Sequence, residues 1–332
     1  MEMPLQLRAA IDQALEGVPL AQLQAAAERL SARYRSETRD GRPHLSDDLS
    51  ARAYLAVRMP ATYAAIRASL DAVAERLPDF APQSLLDAGA GPGTALFAAR
   101  DCWPGLSAAM LMESSWAIRH WGEALLSASS FGGAVWHSGD IGSDTLPRER
   151  HDLVTLAYVL DELAPELRGA LIDRLWQATG DTIVVVEPGT PAGWSRILLA
   201  RDRLIAAGAH LVAPCPHALA CPLHAPDWCH FAQRVARSRM HRRIKSADVP
   251  WEDEKFIYIV ASRNPPQPVQ ARVIAPVQAR GGTVSMKLCE RTGAANRHFL
   301  SRRDGERYRQ ARRLAWGDCV GEHATIPADS AD

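Results

Sequence analysis

The chain has 332 residues, 47% of them hydrophobic and 23% charged, so it is too long for one small core and close to the globular average, which excludes collagenous, disordered and membrane-spanning classes. Basic and acidic residues each number 38, giving a formal net charge of zero, yet residues 230–320 hold 19 basic against 8 acidic side chains. That local excess of +11, balanced by −11 elsewhere, is either a solvated basic face or the electrostatic footprint of a polyanion-binding surface.

Met1 to Gly17 mixes apolar and charged residues at helical spacing without a continuous apolar run, and no stretch approaches membrane-spanning length; the reading is a cytoplasmic protein without membrane contact. Leu5 to Leu15 and Ala21 to Tyr34 predict two helices, with Gly17, Pro19 and Gly41-Arg42-Pro43 as breaks. Ser46-Asp47-Asp48 then caps a longer helical stretch through Leu77 that Pro60 should kink or divide. These elements make a helical N-terminal region, 1–78. From Ser84 short apolar runs alternate with helical stretches: Leu85-Leu86, Ala108 to Met112, Ala134-Val135-Trp136, Leu153 to Tyr158, Thr182 to Val186 and Phe256 to Ala261. The alternation predicts an α/β, Rossmann-like domain over 79–264, with a parallel sheet covered on both faces by helices. A cysteine-, histidine- and proline-rich insertion at about 209–250, irregular over 209–231, interrupts it. Asn264-Pro265-Pro266-Gln267-Pro268 reads as a linker to a basic C-terminal extension, 265–332, with apolar runs at Val284 to Leu288 and Phe299-Leu300, a basic helix at Glu306 to Leu314 and a frayed end from His323.

The first predicted strand runs into Asp87-Ala88-Gly89-Ala90-Gly91-Pro92-Gly93 and then a helix from Thr94. Glycines there let the backbone turn tightly and approach a ligand closely. The spacing resembles the methyltransferase form of the fold, in which S-adenosylmethionine lies over the loop and the acidic residue before it orients the methionine amino end. Glu113, after the second strand, stands where a carboxylate accepts ribose hydroxyls, and Asp140, after the third, where the fold holds the adenine amino group. Asp87, Gly89, Gly91, Gly93, Thr94, Glu113 and Asp140 thus form the candidate cofactor site. A nicotinamide is disfavoured by the shifted glycine spacing. The Asn/Asp-Pro-Pro-aromatic motif of exocyclic-amine methylation is missing after the fourth strand, where the chain reads Leu156-Ala157-Tyr158-Val159-Leu160-Asp161-Glu162. Asp161, Glu162 and Glu187 are weak candidate proton-transfer groups; a solvated helix-start carboxylate is the commoner explanation of the first two, and Glu187 either lines the acceptor pocket or merely turns the chain.

Of six cysteines, Cys215, Cys221 and Cys229 fall within 15 residues, each beside Pro or His. In a reducing compartment such a set is metal-bound or free, not disulfide-bonded. Spacing leaves three readings: an iron–sulfur cluster, a Cys₃His zinc site using His217, His224 or His230, or unligated thiols. A metal would supply folding energy to a loop with little apolar content.

The runs Glu187-Pro188-Gly189-Thr190-Pro191, Ala213-Pro214-Cys215-Pro216-His217, Cys221-Pro222-Leu223 and Trp228-Cys229-His230-Phe231 resemble the Rsm22 family. So do Tyr54 to Tyr63 around Arg58-Met59-Pro60, Lys255 to Ser262, Val284 to Cys289 and Trp316-Gly317-Asp318, so the resemblance covers nearly the whole chain. It implies a [4Fe-4S] cluster on Cys215, Cys221, Cys229 and Cys289, with Cys102 and Cys319 as ordinary thiols. It also implies association with the RNA and proteins of the small ribosomal subunit during assembly, with methylation of 16S rRNA as the expected activity and a non-catalytic assembly factor as the alternative. A monomer is the expected state.

Overall fold

The computed structural model describes residues 1–35, 45–129, 131–142, 146–147 and 149–321; the expected frayed end from His323 lies outside them. Four helices come first: α1 Leu5–Ala14, α2 Leu20–Arg35, α3 Asp48–Val57 and α4 Met59–Arg76. Asp47 caps α3, its carboxylate accepting from the Ser50 N–H at 2.8 Å. Pro60 sits in the first turn of α4, where a missing N–H costs nothing, so the proline divides two helices at Arg58.

The alternating region follows as β1 Ser84–Ala88, α5 Thr94–Cys102, β2 Ala108–Met112, α6 Trp116–Ser127, β3 Ala134–His137, β4 His151–Ala157, α7 Pro165–Ala178, β5 Thr179–Pro188, α8 Pro191–Ala206, β6 His210–Ala213, β7 Phe231–Ala236, α9 Arg239–Ile244 and β8 Trp251–Ser262. Eight strands form one sheet in the order β3-β2-β1-β4-β5-β8-β6, with β7 pairing β8. The first five are parallel, as the α/β Rossmann-like reading requires, and Ile183 to Val186 of β5 are at most 1% exposed, as a strand covered on both faces must be.

Two expectations need correction. The sheet is not wholly parallel, because β8 runs antiparallel to β5 and β6. Nor is 209–231 all loop: His210–Ala213 pairs with β8 as a sheet strand, and its four residues are too short to show alternation before Pro214 ends it. The strand order reverses between β1 and β4, which opens a crevice at their C-terminal ends.

The segment after 265 is a second, antiparallel sheet of β9 Ala271–Val273, β10 Gln278–Arg280, β11 Thr283–Glu290, β12 Ala295–Ser301 and β13 Cys319–Val320, with α10 Glu306–Ala311 before the last strand. Val273, Val284, Met286, Leu288, Leu300 and Val320 make its separate core. Strand β11 alternates strictly, with Val284, Met286 and Leu288 buried and Thr283, Ser285, Lys287 and Cys289 on the other face. The linker is not free: the Gln267 N–H donates to the Arg76 carbonyl at 3.1 Å, and the Arg76 guanidinium donates back to the Gln267 carbonyl. No helix among the described residues is long and apolar enough to cross a membrane.

Helix α8 begins against the end of β5, where Thr190 caps it by accepting from the Gly193 N–H at 3.1 Å. A Cβ on Gly193 would lie 1.9 Å from the Pro188 carbonyl oxygen, so Gly193→Ala must push helix from strand. A loss of about 1–3 kcal/mol is expected for such overpacking, read as a lower urea midpoint at unchanged slope; a wild-type midpoint would contradict the close approach.

Candidate functional site

Asp87 is the penultimate residue of β1 and is 2% exposed. One carboxylate oxygen accepts from the Thr155 hydroxyl at 2.7 Å; the other is buried without a partner. Burial raises its pKa to about 7, with Glu113 adding to the rise. The chain then leaves the strand through Gly89, Gly91 and Gly93, all at positive φ (70°, 55° and 82°), a region closed to most side chains. A Cβ on Gly89 would meet Val159 at 2.5 Å, whereas at Gly91 it would meet nothing within 4 Å, so the space over the loop is open. Gly93 caps α5, and the buried Thr94 hydroxyl behind it has no partner.

That open space is part of a cavity of about 1230 Å³ bordered by Gly89, Gly91, Glu113, Asp140, Asp161 and Glu162. Residues from three successive strand ends and the α7 approach therefore meet around one volume, while Asp87, Gly93 and Thr94 are buried and do not border it. Glu113 fixes the loop from beneath: its two oxygens accept from the Gly91 N–H at 2.9 Å and the Ser115 N–H at 2.8 Å. Burial raises its pKa against those hydrogen bonds. Asp140 accepts from the Gly142 N–H at 2.8 Å. Glu162 is exposed to the cavity, and desolvation by the surrounding walls, with the charges of Asp161, Glu113 and Glu187, pushes its pKa up to about 8. Glu187 is held apart, fully buried and off the cavity surface, with one oxygen on the Leu160 N–H at 3.1 Å and the other on Arg196 at 2.6 Å.

The cavity has walls that the sequence reading did not identify. Tyr158, directly after β4, sits at φ 61°, a strained conformation for an aromatic residue and one that tends to mark working sites. Its hydroxyl donates to Glu254 at 3.1 Å, and Arg58, from the α3–α4 junction, reaches both oxygens of the same carboxylate at 3.3 and 3.5 Å. Tyr34 and Tyr54 complete that wall from the N-terminal helices. No local pattern announces a positive φ at a tyrosine, and Glu254 is hidden in the acidic run 252–254.

Cys215, Cys221, Cys229 and Cys289 all border a second, small cavity, with Ile197 and Arg201 of α8 and Ile257 and Tyr258 of β8. Burial pushes the Cys229 thiol well up, and the other three thiols push it the same way; burial likewise lifts Cys289 to about 12. Among the described residues no group of three or more His, Cys, Asp or Glu is gathered tightly enough to hold a single metal ion. His217 stands 3.5 Å from the Cys289 sulfur. The segment has aromatic anchors despite its composition: the Trp228 indole donates to the Gly189 carbonyl at 3.1 Å, and His230 stacks on Trp228 and meets Trp316 edge-on. Two buried guanidinium groups flank the thiols. Arg201 donates to the His217 and Leu219 carbonyls, and Arg272 to the Pro214 and Gly317 carbonyls at 3.1 and 2.7 Å. One Arg272 nitrogen is buried without a partner. The remaining thiols lie elsewhere, Cys102 near Asp71 and Cys319 near Arg76 and Glu75.

Comparison with known proteins gives a match of residues 48–320 to the profile of the mitochondrial small ribosomal subunit Rsm22 family. The human mitochondrial ribosome assembly protein METTL17 is 32% identical over 286 residues, covering 80% of this chain and 61% of the human protein. The two Rsm22-cox11 tandem proteins of Schizosaccharomyces pombe are 26% identical over 326 residues, covering 80% of this chain and 42% of each. The chain thus spans about three fifths of the human relative and under half of the yeast ones. Among solved structures, the magnesium protoporphyrin IX methyltransferase of Synechocystis with bound SAH aligns over 70% of this chain and 94% of its own, at 13% identity and a TM-score of 0.41.

A carboxyl group whose folded pKa is raised is protonated in the folded state where the unfolded chain is not, so its contribution to stability is present below the unfolded value and is lost as pH climbs through the folded one. For Asp87 that window runs from the ordinary 3.8 to about 7. Asp87→Asn, which can still accept from Thr155, is expected to flatten the fall in stability across that window in urea titrations at stepped pH; a slope identical to wild type would contradict the buried carboxyl.

Proposed function

The chain belongs to the Rsm22 family, and from that premise we propose that it binds S-adenosylmethionine over the glycine loop and acts on the RNA of the small ribosomal subunit as a methyltransferase carrying a structural [4Fe-4S] cluster. The observation that carries the ligand assignment is the open volume above Gly91, with Glu113 and Asp140 on its border and an unsatisfied Asp87 oxygen behind it. A loop built only of backbone at that point lets a ligand lie close. The ligand supplies an electrophilic methyl group. Asp87 would balance its ammonium, Glu113 would take ribose hydroxyls on the lone pairs its two backbone bonds leave over, and Asp140 would hold the adenine amino group. Glu162, with a pKa near neutrality, is matched to moving a proton from an acceptor in the same cavity. Glu187 already has both oxygens engaged and serves to fix α8 to the end of β5.

The donor set at the second cavity suits an anionic metal cluster. Four thiols border it from two distant stretches of chain, and four cysteines are what a cubane takes. Two buried cations stand ready to offset its negative charge, each with one buried nitrogen that has no partner. Held by these four cysteines, a cluster would fasten 215–229 to β11. Cys221→Ser is therefore expected to lose iron and open the cysteine segment to proteolysis while the glycine-loop domain keeps its cooperative unfolding; full iron content in that variant would refute the ligand set.

A second reading, a non-catalytic assembly factor that keeps the fold, is favoured by Tyr158: the position that carries the amine-methylation motif elsewhere is taken by a strained tyrosine already bonded to Glu254. The human relative's name, a ribosome assembly protein, agrees with it. The two readings part in mass spectrometry of 16S rRNA from wild-type and deletion strains. Methyl transfer predicts one modification lost on deletion and restored by the wild-type chain; an unchanged map would overturn catalysis and leave the assembly role.

A further inference from the structure

The register of β10, β11 and β12 sorts their side chains between two faces, because directly paired residues share one. Arg280, Thr283 and Ser301 form one rung of the outward face; Gln278, Ser285 and Phe299 the next; Lys287 and Arg297 the third; Cys289 and Ala295 the fourth. Arg272, paired with Cys289 across β9, continues that last rung. The two ends of the face differ. At Cys289 and Arg272 it is covered by the cysteine segment, whereas two rungs away Phe299 is 69% exposed.

A lone exposed apolar side chain is ordinary. What sets Phe299 apart is its surroundings. A cationic rung lies to either side, about 7 Å along the strand, and the Arg297 guanidinium reaches over to the hydroxyl of Ser285, the residue that pairs with Phe299, at 3.3 Å. None of the residues on those three rungs is acidic. Two carboxylates touch these rungs from outside them: Asp227 pairs with Lys287, and Asp304 accepts from Ser301 at the edge of the first rung. Arg302 and Arg303, which follow β12, are exposed as well.

We propose that this end of the sheet is a stacking site for an unpaired RNA base, with Phe299 as the platform and Arg297 and Arg280 holding the flanking phosphates. An aromatic face accepts any base, and neighbouring cations track the backbone. A helix buries its base faces, so the ring selects single-stranded RNA over duplex. A protein partner would call for a broader apolar centre with charges at its rim; here one ring stands among charges. The site shares β11 with Cys289, so the segment that closes the thiol cavity also carries Ser285 and Lys287 of the RNA-facing rungs. The proposal rests on the RNA reading above and gives it an address.

The test is fluorescence anisotropy with the full chain, a short labelled single-stranded oligoribonucleotide and a duplex of the same sequence, together with a strand carrying one 2-aminopurine. Phe299→Ala should weaken single-strand binding about tenfold, the usual scale for a lost base–aromatic stack, and weaken duplex binding far less. Phe299→Trp should restore it. The 2-aminopurine emission should be quenched by wild type and not by Phe299→Ala, and Arg297→Gln should reduce the salt slope by about one charge. Wild-type affinity in Phe299→Ala, equal losses for single strand and duplex, or quenching that survives without the ring would overturn the site. So would normal RNA binding joined to lost co-sedimentation with small subunits, which would identify a protein contact. If wild type binds neither RNA, the RNA reading itself fails, an outcome distinct from all of these.

Discussion

The contact on which the larger site depends is the hydrogen bond from the Gly91 N–H to the Glu113 carboxylate. It ties the loop after β1 to the end of β2 and holds three left-handed glycines in a shape that leaves bare backbone facing an open volume. Hydrogen bonds to a charged acceptor contribute about 1.5–3 kcal/mol net. Here that gain opposes the desolvation that raises the pKa of Glu113, while neighbouring Asp87 is raised by its own burial and by the Glu113 charge. The fold keeps two crowded, poorly solvated carboxyls beside one loop, where a ligand bearing positive charge and hydrogen-bond donors would share the space.

The two cavities are built on common walls. Helix α8 lends Arg196 to the first and Arg201 to the second, and β8 lends Glu254 to the first and Tyr258 to the second. The reversed strand β8 is therefore more than an edge. It pairs with β5, β6 and β7, so it carries the cysteine segment between β6 and β7 against the same sheet that positions the glycine loop. The thiols and the wall opposite the loop thus share two elements, α8 and β8. The Arg58–Glu254–Tyr158 network extends that wall to the N-terminal helices.

Much of this was legible in the residues. The glycine loop stood out because its neighbours agreed: an apolar run before it, a helical run after it, and carboxylates after the next two runs, all of which report local preferences. What stayed hidden depends on distant partners. Nothing in the apolar run of β8 tells its direction, since alternation and burial look the same in either sense. Strand β6 was lost to its length, and the C-terminal extension showed its apolar runs without revealing that they pair into a sheet with its own core. Cys289 lies 60 positions beyond Cys229; spacing gave no reason to group them, and only the resemblance did so before the fold placed both on one cavity. Arg201 and Arg272 read as ordinary basic residues until burial set them beside the thiols. Tyr158 was in view within a quoted run, but nothing in its own identity announces a positive φ.

The central claim is that the volume over Gly91 receives S-adenosylmethionine, and calorimetric titration of that ligand into wild type and Gly91→Ala addresses it most directly. A methyl group there enters open space at a φ of 55°, so the substitution adds bulk to the binding surface and strains the loop backbone without touching the core. The account predicts one-to-one binding to wild type and at least tenfold weaker binding to Gly91→Ala, whose far-ultraviolet spectrum stays that of the wild type. Equal affinity in the two proteins, or no heat in either, would contradict it.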